Sequence, residues 1–234
     1  MNRSLVSYYG GKGKLWRYYQ APLHDTIIEP FAGGANYSLQ YADRQVILND
    51  RDPAVAAMWR FLLRPEALDV INARVPAFVQ AGSRITDFLE ADADPGLRRF
   101  VIMWAARGSH GNRDVVSAFA ARSWGRLFAH AEHYLPRIGH WVIQEGDYSA
   151  VSNQPATWFI DPPYSTHAGR CYEYCDIDYA ALRAWTIERQ GQLIVCGETS
   201  EDWLQFTPLM TNSDKMNRHS GRRTYVEGVY AREF

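Results

Sequence analysis

A mostly apolar run, Ala156-Thr157-Trp158-Phe159-Ile160, leads directly into Asp161-Pro162-Pro163-Tyr164. A short unbroken run of this kind suits a strand buried on both faces, as in a parallel sheet covered by helices. The two prolines end it, because neither can donate a ladder hydrogen bond and both fix φ. An acid, a backbone carbonyl and an aromatic ring are thereby set at the carboxyl end of a strand, where open α/β sheets bind ligands. A strand-ending turn with an exposed acid is the plainer reading of the same tetrad.

Three further segments share this design. Thr26-Ile27-Ile28-Glu29-Pro30-Phe31-Ala32-Gly33-Gly34-Ala35-Asn36, followed by Tyr37-Ser38-Leu39, reads as a short strand, a glycine turn and a helix start. Glycines let the backbone approach a ligand, and a helix N-terminus offers free N–H groups. The spacing is not that of the dinucleotide fingerprint. A second strand, Gln45-Val46-Ile47-Leu48, ends at Asn49-Asp50. An acid there, about twenty residues after the glycine turn, is placed to hold a ribose diol. Asp50 also lies near a helix start, but Asp52-Pro53 is the better cap, with proline at the first helical position, which leaves Asp50 for a ligand. Trp141-Val142-Ile143-Gln144 reads as another strand, running into Glu145-Gly146-Asp147-Tyr148. Asp147 is either a ligand contact or part of a simple Gly-Asp turn. Near the N-terminus, Tyr8-Tyr9-Gly10-Gly11-Lys12 is not a Walker loop, because the spacing to a Lys-Ser/Thr pair is missing.

Taken in chain order, Gly10-Gly11-Lys12, Glu29-Pro30-Phe31-Ala32-Gly33-Gly34, Asn49-Asp50, Gly146-Asp147-Tyr148 and Asp161-Pro162-Pro163-Tyr164 resemble the motifs of the DNA adenine methylase (Dam-like, D12 class) family of adenine-N6 methyltransferases. Ser220-Gly221-Arg222-Arg223-Thr224-Tyr225-Val226-Glu227-Gly228-Val229-Tyr230 is similar to that family's final hairpin, so the resemblance spans nearly the whole chain. It implies S-adenosylmethionine as cofactor and double-stranded DNA as partner. Tyr8, Lys12, Asp50 and Asp161 would contact the cofactor, Phe31 and Gly33 would shape its pocket, and Asp147 would accept from its adenine amino group. Asp161 and the Pro162 carbonyl would accept from the amino group of the target base, and Tyr164 would offer a face for stacking. The target adenine would be flipped out of the duplex. The tetrad also fits cytosine-N4 or RNA adenine as substrate, and a DNA-binding relative without catalysis is a further class. Ala35 stands where the family usually has glycine, and Tyr8 where it often has tryptophan. The long segment from Met58 to Gly139 sits where the family inserts its recognition region, but its details depart most. Ala106-Arg107-Gly108-Ser109-His110-Gly111-Asn112-Arg113 matches the family's Asn-Arg-x-Gly-x-Asn-Gly stretch only loosely, and Ser123-Trp124-Gly125-Arg126 faintly resembles its Phe-Gly-Arg turn.

The expected architecture is α/β, a doubly wound, Rossmann-like methyltransferase sheet interrupted by a mainly helical insertion. The boundaries read as 1–58 for the cofactor half, 59–138 for the insertion and 139–234 for the catalytic half. Within the insertion, helices are expected from Met58 to Leu63, Ala67 to Ala73, near Ala77 to Glu90 and from Leu97 to Ala106, with a loop from Gly108 to Arg113. Beyond it, a helix over Tyr179 to Arg189 and strands over Gln192 to Cys196, Phe206 to Met210 and Tyr225 to Tyr230 complete the fold.

Net charge is −1, so bulk charge does not draw the chain to a polyanion, and the distribution matters more. Arg98, Arg99, Arg107, Arg113, Arg122, Arg126 and Arg137 face only Asp114 and Glu132 within their own segment. That excess suits contacts to phosphate or guanine. Arg107, Asn112, Arg113, Arg122 and Arg126 are the candidate base-reading residues. Arg222 and Arg223, adjacent at a turn, suit phosphate clamping. The glycine-bearing stretch from Gly108 to Arg113 has a purely structural reading as well. His167, Cys171 and Cys175 lack a fourth ligand at a familiar spacing, so no metal is expected. The three cysteines make no disulfide framework, no apolar stretch is long enough to span a membrane, and the N-terminus does not read as a signal peptide. A cytoplasmic protein is the expectation.

Overall fold

The computed structural model describes residues 4–6, 10–76, 79–90, 92–105, 114–166, 172–209 and 226–233. Among them, β1 (Thr26–Glu29), β2 (Gln45–Asp50), β3 (Val142–Glu145), β4 (Ala156–Ile160), β5 (Gly191–Glu198), β6 (Thr207–Pro208) and β7 (Glu227–Arg232) form one seven-stranded sheet. The order is β3-β2-β1-β4-β5-β7-β6. Pairings among β1 to β5 are all parallel, and β7 runs antiparallel to β5 and β6. Among the described residues five α-helices accompany it: α1 (Pro53–Leu62), α2 (Ala67–Arg74), α3 (Pro95–Ala105), α4 (Ala118–Ile138) and α5 (Tyr179–Ile187). The chain is α/β with a mixed sheet. None of these helices is long and apolar enough to cross a membrane.

Every residue of β4 and β5 is buried, as an apolar run without alternation requires. Successive side chains point to opposite faces, so each strand feeds two cores. Phe159, Ile194 and Cys196 join the core built with α1 to α4, while Trp158, Ile160, Leu193 and Val195 join the one covered by α5. The strand order reverses between β1 and β4, since β2 and β3 extend to one side and β5 and β7 to the other. Such a reversal opens a crevice beyond the strands' carboxyl ends.

Asp52 caps α1 by accepting from the Ala54 N–H at 2.8 Å, with Pro53 at the first helical position, as its sequence predicts. α1 and α3 then run antiparallel. Arg99 of α3 reaches Asp52 at one end (2.8 Å), and Arg64, just past α1, reaches Asp94 at the other (2.7 Å). α4 continues the layer with Ala120, Trp124, Leu127, Ala131, Tyr134, Leu135 and Ile138 buried.

Three local expectations are corrected. The stretch near Ala77 to Glu90 forms no α-helix over its described residues, 79–90, which hold only a 3-10 turn, Ile85–Asp87. Gly82 there has a φ of +88°, and Ser83 and Ile85 bond across to Val116 and Asp114, drawing the chain into an extended pairing instead. Ser123-Trp124-Gly125-Arg126 is no turn either, but lies inside α4. One helical glycine costs only about 1 kcal/mol, which the long buried face of α4 offsets. Likewise, the glycine turn after β1 leads only into a 3-10 helix, Ser38–Tyr41.

Gly96 marks a close approach of α1 and α3: a Cβ there would clash with the Ala57 carbonyl oxygen and sit 2.5 Å from Phe61 Cβ. Gly96→Ala is expected to cost about 1–3 kcal/mol through overpacking. Gly125→Ala meets nothing within 4 Å and should stabilise by about 0.5–1 kcal/mol. Urea unfolding of both variants checks the pair of opposite signs.

Candidate active site

The crevice is organised around one buried ammonium. Lys12 precedes the 3-10 helix Trp16–Tyr18, and its own carbonyl accepts from the N–H groups of Leu15 and Trp16. Its Nζ donates to Asp161 Oδ1 at 2.8 Å and to the Gly10 carbonyl at 3.1 Å, and lies 3.4 Å from Glu227 Oε1. The same atom sits 4.9 Å from the centroid of the Tyr164 ring. Glu227, the first residue of β7, also accepts from the hydroxyls of Tyr164 at 2.7 Å and Tyr19 at 3.0 Å. Lys12 and Glu227 thus join the amino-terminal loop, the end of β4 and the last strand.

The electrostatics follow from one cation serving two carboxylates. Burial alone would lower the Lys12 pKa; Asp161 and Glu227 reverse this and hold it well above the ordinary lysine value. Burial pushes the Asp161 carboxyl up, Lys12 opposes this, and the nearby charge of Glu227 adds to the rise. The net direction is upward, because burial outweighs the pull of Lys12. The buried Cys196 thiol has a raised pKa, chiefly from burial, with the nearby Asp161 charge adding to the rise.

The second part of the site lies at the ends of β1 and β2. Asp50 accepts from the Gly33 N–H at 2.8 Å through Oδ2 and from the Asp52 N–H at 2.9 Å through Oδ1. Each oxygen keeps a further lone pair. Burial raises its pKa to about 6 against the pull of those two N–H groups. Gly33 and Ala35 have φ values of +43° and +42°. That conformation suits glycine and costs an alanine about 1–2 kcal/mol, and Ala35 adopts it where the resembled family usually has glycine. Phe31 packs against Tyr148 with ring centroids 5.4 Å apart. Asp147 caps the 3-10 helix Tyr148–Ala150, accepting from the Ser149 N–H at 3.0 Å and hydroxyl at 2.7 Å. This is the Gly-Asp turn geometry, set at the carboxyl end of β3.

Sequence reasoning passed over Glu227, Glu29, Tyr19 and Asn49. Asn49 donates to the Pro30 carbonyl at 3.1 Å and the Gly146 carbonyl at 3.0 Å, tying together the turns that follow β1 and β3. Glu29 is buried and accepts from the Ser38 N–H at 2.9 Å. Burial lifts its pKa from 4.5 to about 8. Glu29-Pro30 repeats the acid-proline strand ending of Asp161-Pro162 on the adjacent strand, a signal legible in the sequence. Glu227 carried no such signal, because it enters the site only through strand pairing with β5.

Tyr8, Arg107, Asn112, Arg113, Arg222, Arg223, His167 and Cys171 lie outside the described residues. Arg122 and Arg126 are exposed on α4. Helical spacing puts them on one face with His133 and Arg137. The arginine excess of this segment is in part neutralised from elsewhere: Arg99 pairs with Asp52, and Arg137 with Asp43. α4 ends near the amino ends of the strands, where Arg137 meets Asp43, just before β2, and Trp141 donates to the Ala42 carbonyl. Its start, where Ser117 N–H bonds the Ala105 carbonyl beyond Arg99, lies toward the carboxyl ends. Arg122 and Arg126 are therefore on the crevice side of the sheet's height. Comparison of the chain with protein-family models and with curated proteins finds no match.

A raised carboxyl pKa makes the folded state bind more protons than the unfolded one, so the Glu29 contribution to stability falls as pH rises from 4.5 to about 8. Glu29→Gln, which keeps an acceptor for Ser38, should flatten that slope and be more stable than the parent at pH 8 by more than ~1 kcal/mol. Urea unfolding at pH 5, 6.5 and 8 reads the difference.

Proposed function

We propose that this protein is a site-specific DNA methyltransferase, transferring a methyl group from S-adenosylmethionine to the N6 amino group of an adenine flipped out of duplex DNA. The observation that carries the reading is the placement of Asp161, Pro162 and Tyr164 beside Lys12, in the crevice where the strand order reverses between β1 and β4. A doubly wound, Rossmann-like methyltransferase sheet is compatible with that strand order, and the motif order described above supports the choice of adenine in DNA.

The chain's residues fit such a cofactor. One ammonium between two carboxylates leaves the Lys12 cluster with an excess negative charge, which suits a sulfonium cation. Asp50 would accept from ribose hydroxyls, the Gly33 turn allows close backbone approach, and Phe31 and Tyr148 offer an aromatic wall. Tyr8 and Asp147 belong to the same group by resemblance. When bound, the cofactor supplies a methyl group already activated by the sulfonium charge.

The protein's work is then positioning and electrostatics. An adenine amino nitrogen is a poor nucleophile, because its lone pair is delocalised into the ring. Asp161, through the oxygen not held by Lys12, and the Pro162 carbonyl accept its two hydrogens and favour a pyramidal nitrogen. The raised pKa of Asp161 suits it to take up the proton that the methylated nitrogen releases. Tyr164 stacks on the base and offsets part of the few kcal/mol that flipping costs. Arg122 and Arg126, with Arg107, Asn112 and Arg113 of the same insertion, read or grip the duplex, and Arg222 and Arg223 clamp its phosphates. The buried free thiol of Cys196 accords with a reducing, cytoplasmic setting.

Tritiated-methyl transfer to unmethylated duplex DNA, followed by digestion to nucleosides, tests the reading. N6-methyladenine is expected. Label in N4-methylcytosine or only in RNA would replace the substrate, and no label in any nucleic acid would remove the activity. Asp161→Ala should lower turnover by about 10²-fold or more, and near-native turnover would overturn its assignment. Asp50→Asn should weaken cofactor binding by roughly 1.5–3 kcal/mol. In the parent protein that affinity should drop as pH falls below about 6, where the Asp50 carboxylate takes up its proton. Calorimetry across pH 5 to 8 checks both.

A further inference from the structure

We propose that Glu227 is a positioning residue for the flipped base, acting through the Tyr164 hydroxyl to hold the stacking ring in one plane. The inference rests on the function proposed above and assigns a role to a residue outside the tetrad. Pro162 and Pro163 fix the backbone ahead of Tyr164, but they leave its own side-chain torsions free. A ring that serves as a stacking platform has to be held at its far end as well. That hold is the 2.7 Å hydrogen bond from the Tyr164 hydroxyl to Glu227 Oε1, across 63 residues of sequence. Glu227 is itself well anchored. Its backbone pairs with Glu198 of β5, its carbonyl accepts from the Leu209 N–H at 3.0 Å, and its carboxylate takes the Tyr19 hydroxyl at 3.0 Å. Tyr19 is braced edge-on against Phe159 of β4, with centroids 5.2 Å apart. The carboxylate therefore carries the rigidity of β4, β5 and β7 out to a ring on a loop.

A second role for the same carboxylate, as counter-charge to Lys12 at 3.4 Å, has to be separated from the first. A double-mutant cycle does so. Glu227→Ala and Tyr164→Phe should each lower kcat/KM for duplex DNA by about tenfold, and the double variant should lie within about twofold of the worse single. With cofactor saturating, Glu227→Gln keeps an acceptor for the hydroxyl and should recover kcat/KM by at least about threefold over Glu227→Ala. Cofactor affinity by calorimetry should change less than about threefold in Tyr164→Phe, which leaves the charges of the Lys12 cluster intact. Effects that multiply in the double variant would overturn the proposal, as would a Gln variant as damaged as the Ala one, or a loss confined to cofactor affinity. Should Glu227→Ala not fold, Tyr164→Phe, which deletes only the hydroxyl, decides: unchanged turnover overturns the role. A parent protein without methyl transfer removes the proposed function and this role with it, whereas an active parent with an unaffected cycle removes this role alone.

Discussion

Burying a lysine ammonium is costly unless its partners are close and well aimed, and breaking such a cluster leaves an uncompensated charge behind. Lys12 meets that condition with two carboxylates and a carbonyl from three separate regions of the chain. Its position depends on the amino-terminal loop reaching β4, on the prolines that halt β4 at Asp161, and on β7 returning antiparallel to β5 so that Glu227 faces inward. One cation for two acids also sets the chemistry. Burial leaves Asp161 with a raised pKa that the shared Lys12 only partly opposes, and two acids around one cation give the crevice a surplus of negative charge, the sign that the proposed cationic cofactor would require.

Around this cluster, polar side chains hold the loops at the strand ends in place of longer secondary structure. Asn49 links the turns after β1 and β3, Asp50 holds the Gly33 turn, and Glu29 holds the start of Ser38–Tyr41. Trp59 of α1 donates to the Gly33 carbonyl at 2.9 Å, so the helical layer also fixes the glycine turn. The raised carboxyl pKa values of Glu29 and Asp50, each the last residue of its strand, and the positive φ of Ala35 fall together in this rim. Strain and desolvated acids of this kind persist only where a rigid surrounding structure over-determines them, and they cluster at working sites.

The arginines of the insertion show how far local charge can mislead. Counted within the segment they far exceed their acids, yet Arg99 and Arg137 are paired with Asp52 and Asp43 from outside it. Arg122 and Arg126 keep their exposure because they lie on the face of α4 opposite its buried Trp124 and Leu127.

Much of the frame was legible in the residues alone. The unbroken apolar runs of β4 and β5, the acid-proline and glycine turns after β1 and β4, and the Asp52-Pro53 cap act within a few residues, where propensity and hydrogen-bonding capacity decide the outcome. They located Asp50, Asp161 and Tyr164 at strand ends before any pairing was known. The stretch near Ala77 to Glu90 misled because cross-strand bonds to Asp114 and Val116 outweighed its helical pattern, and Ser123 to Arg126 misled because α4's buried face outweighed a local turn signal. Tertiary structure alone brought Lys12 to Asp161 across 149 residues and Glu227 to Tyr164 across 63. No local rule predicts such meetings, because they depend on strand order, and strand order is set by which buried faces pack together.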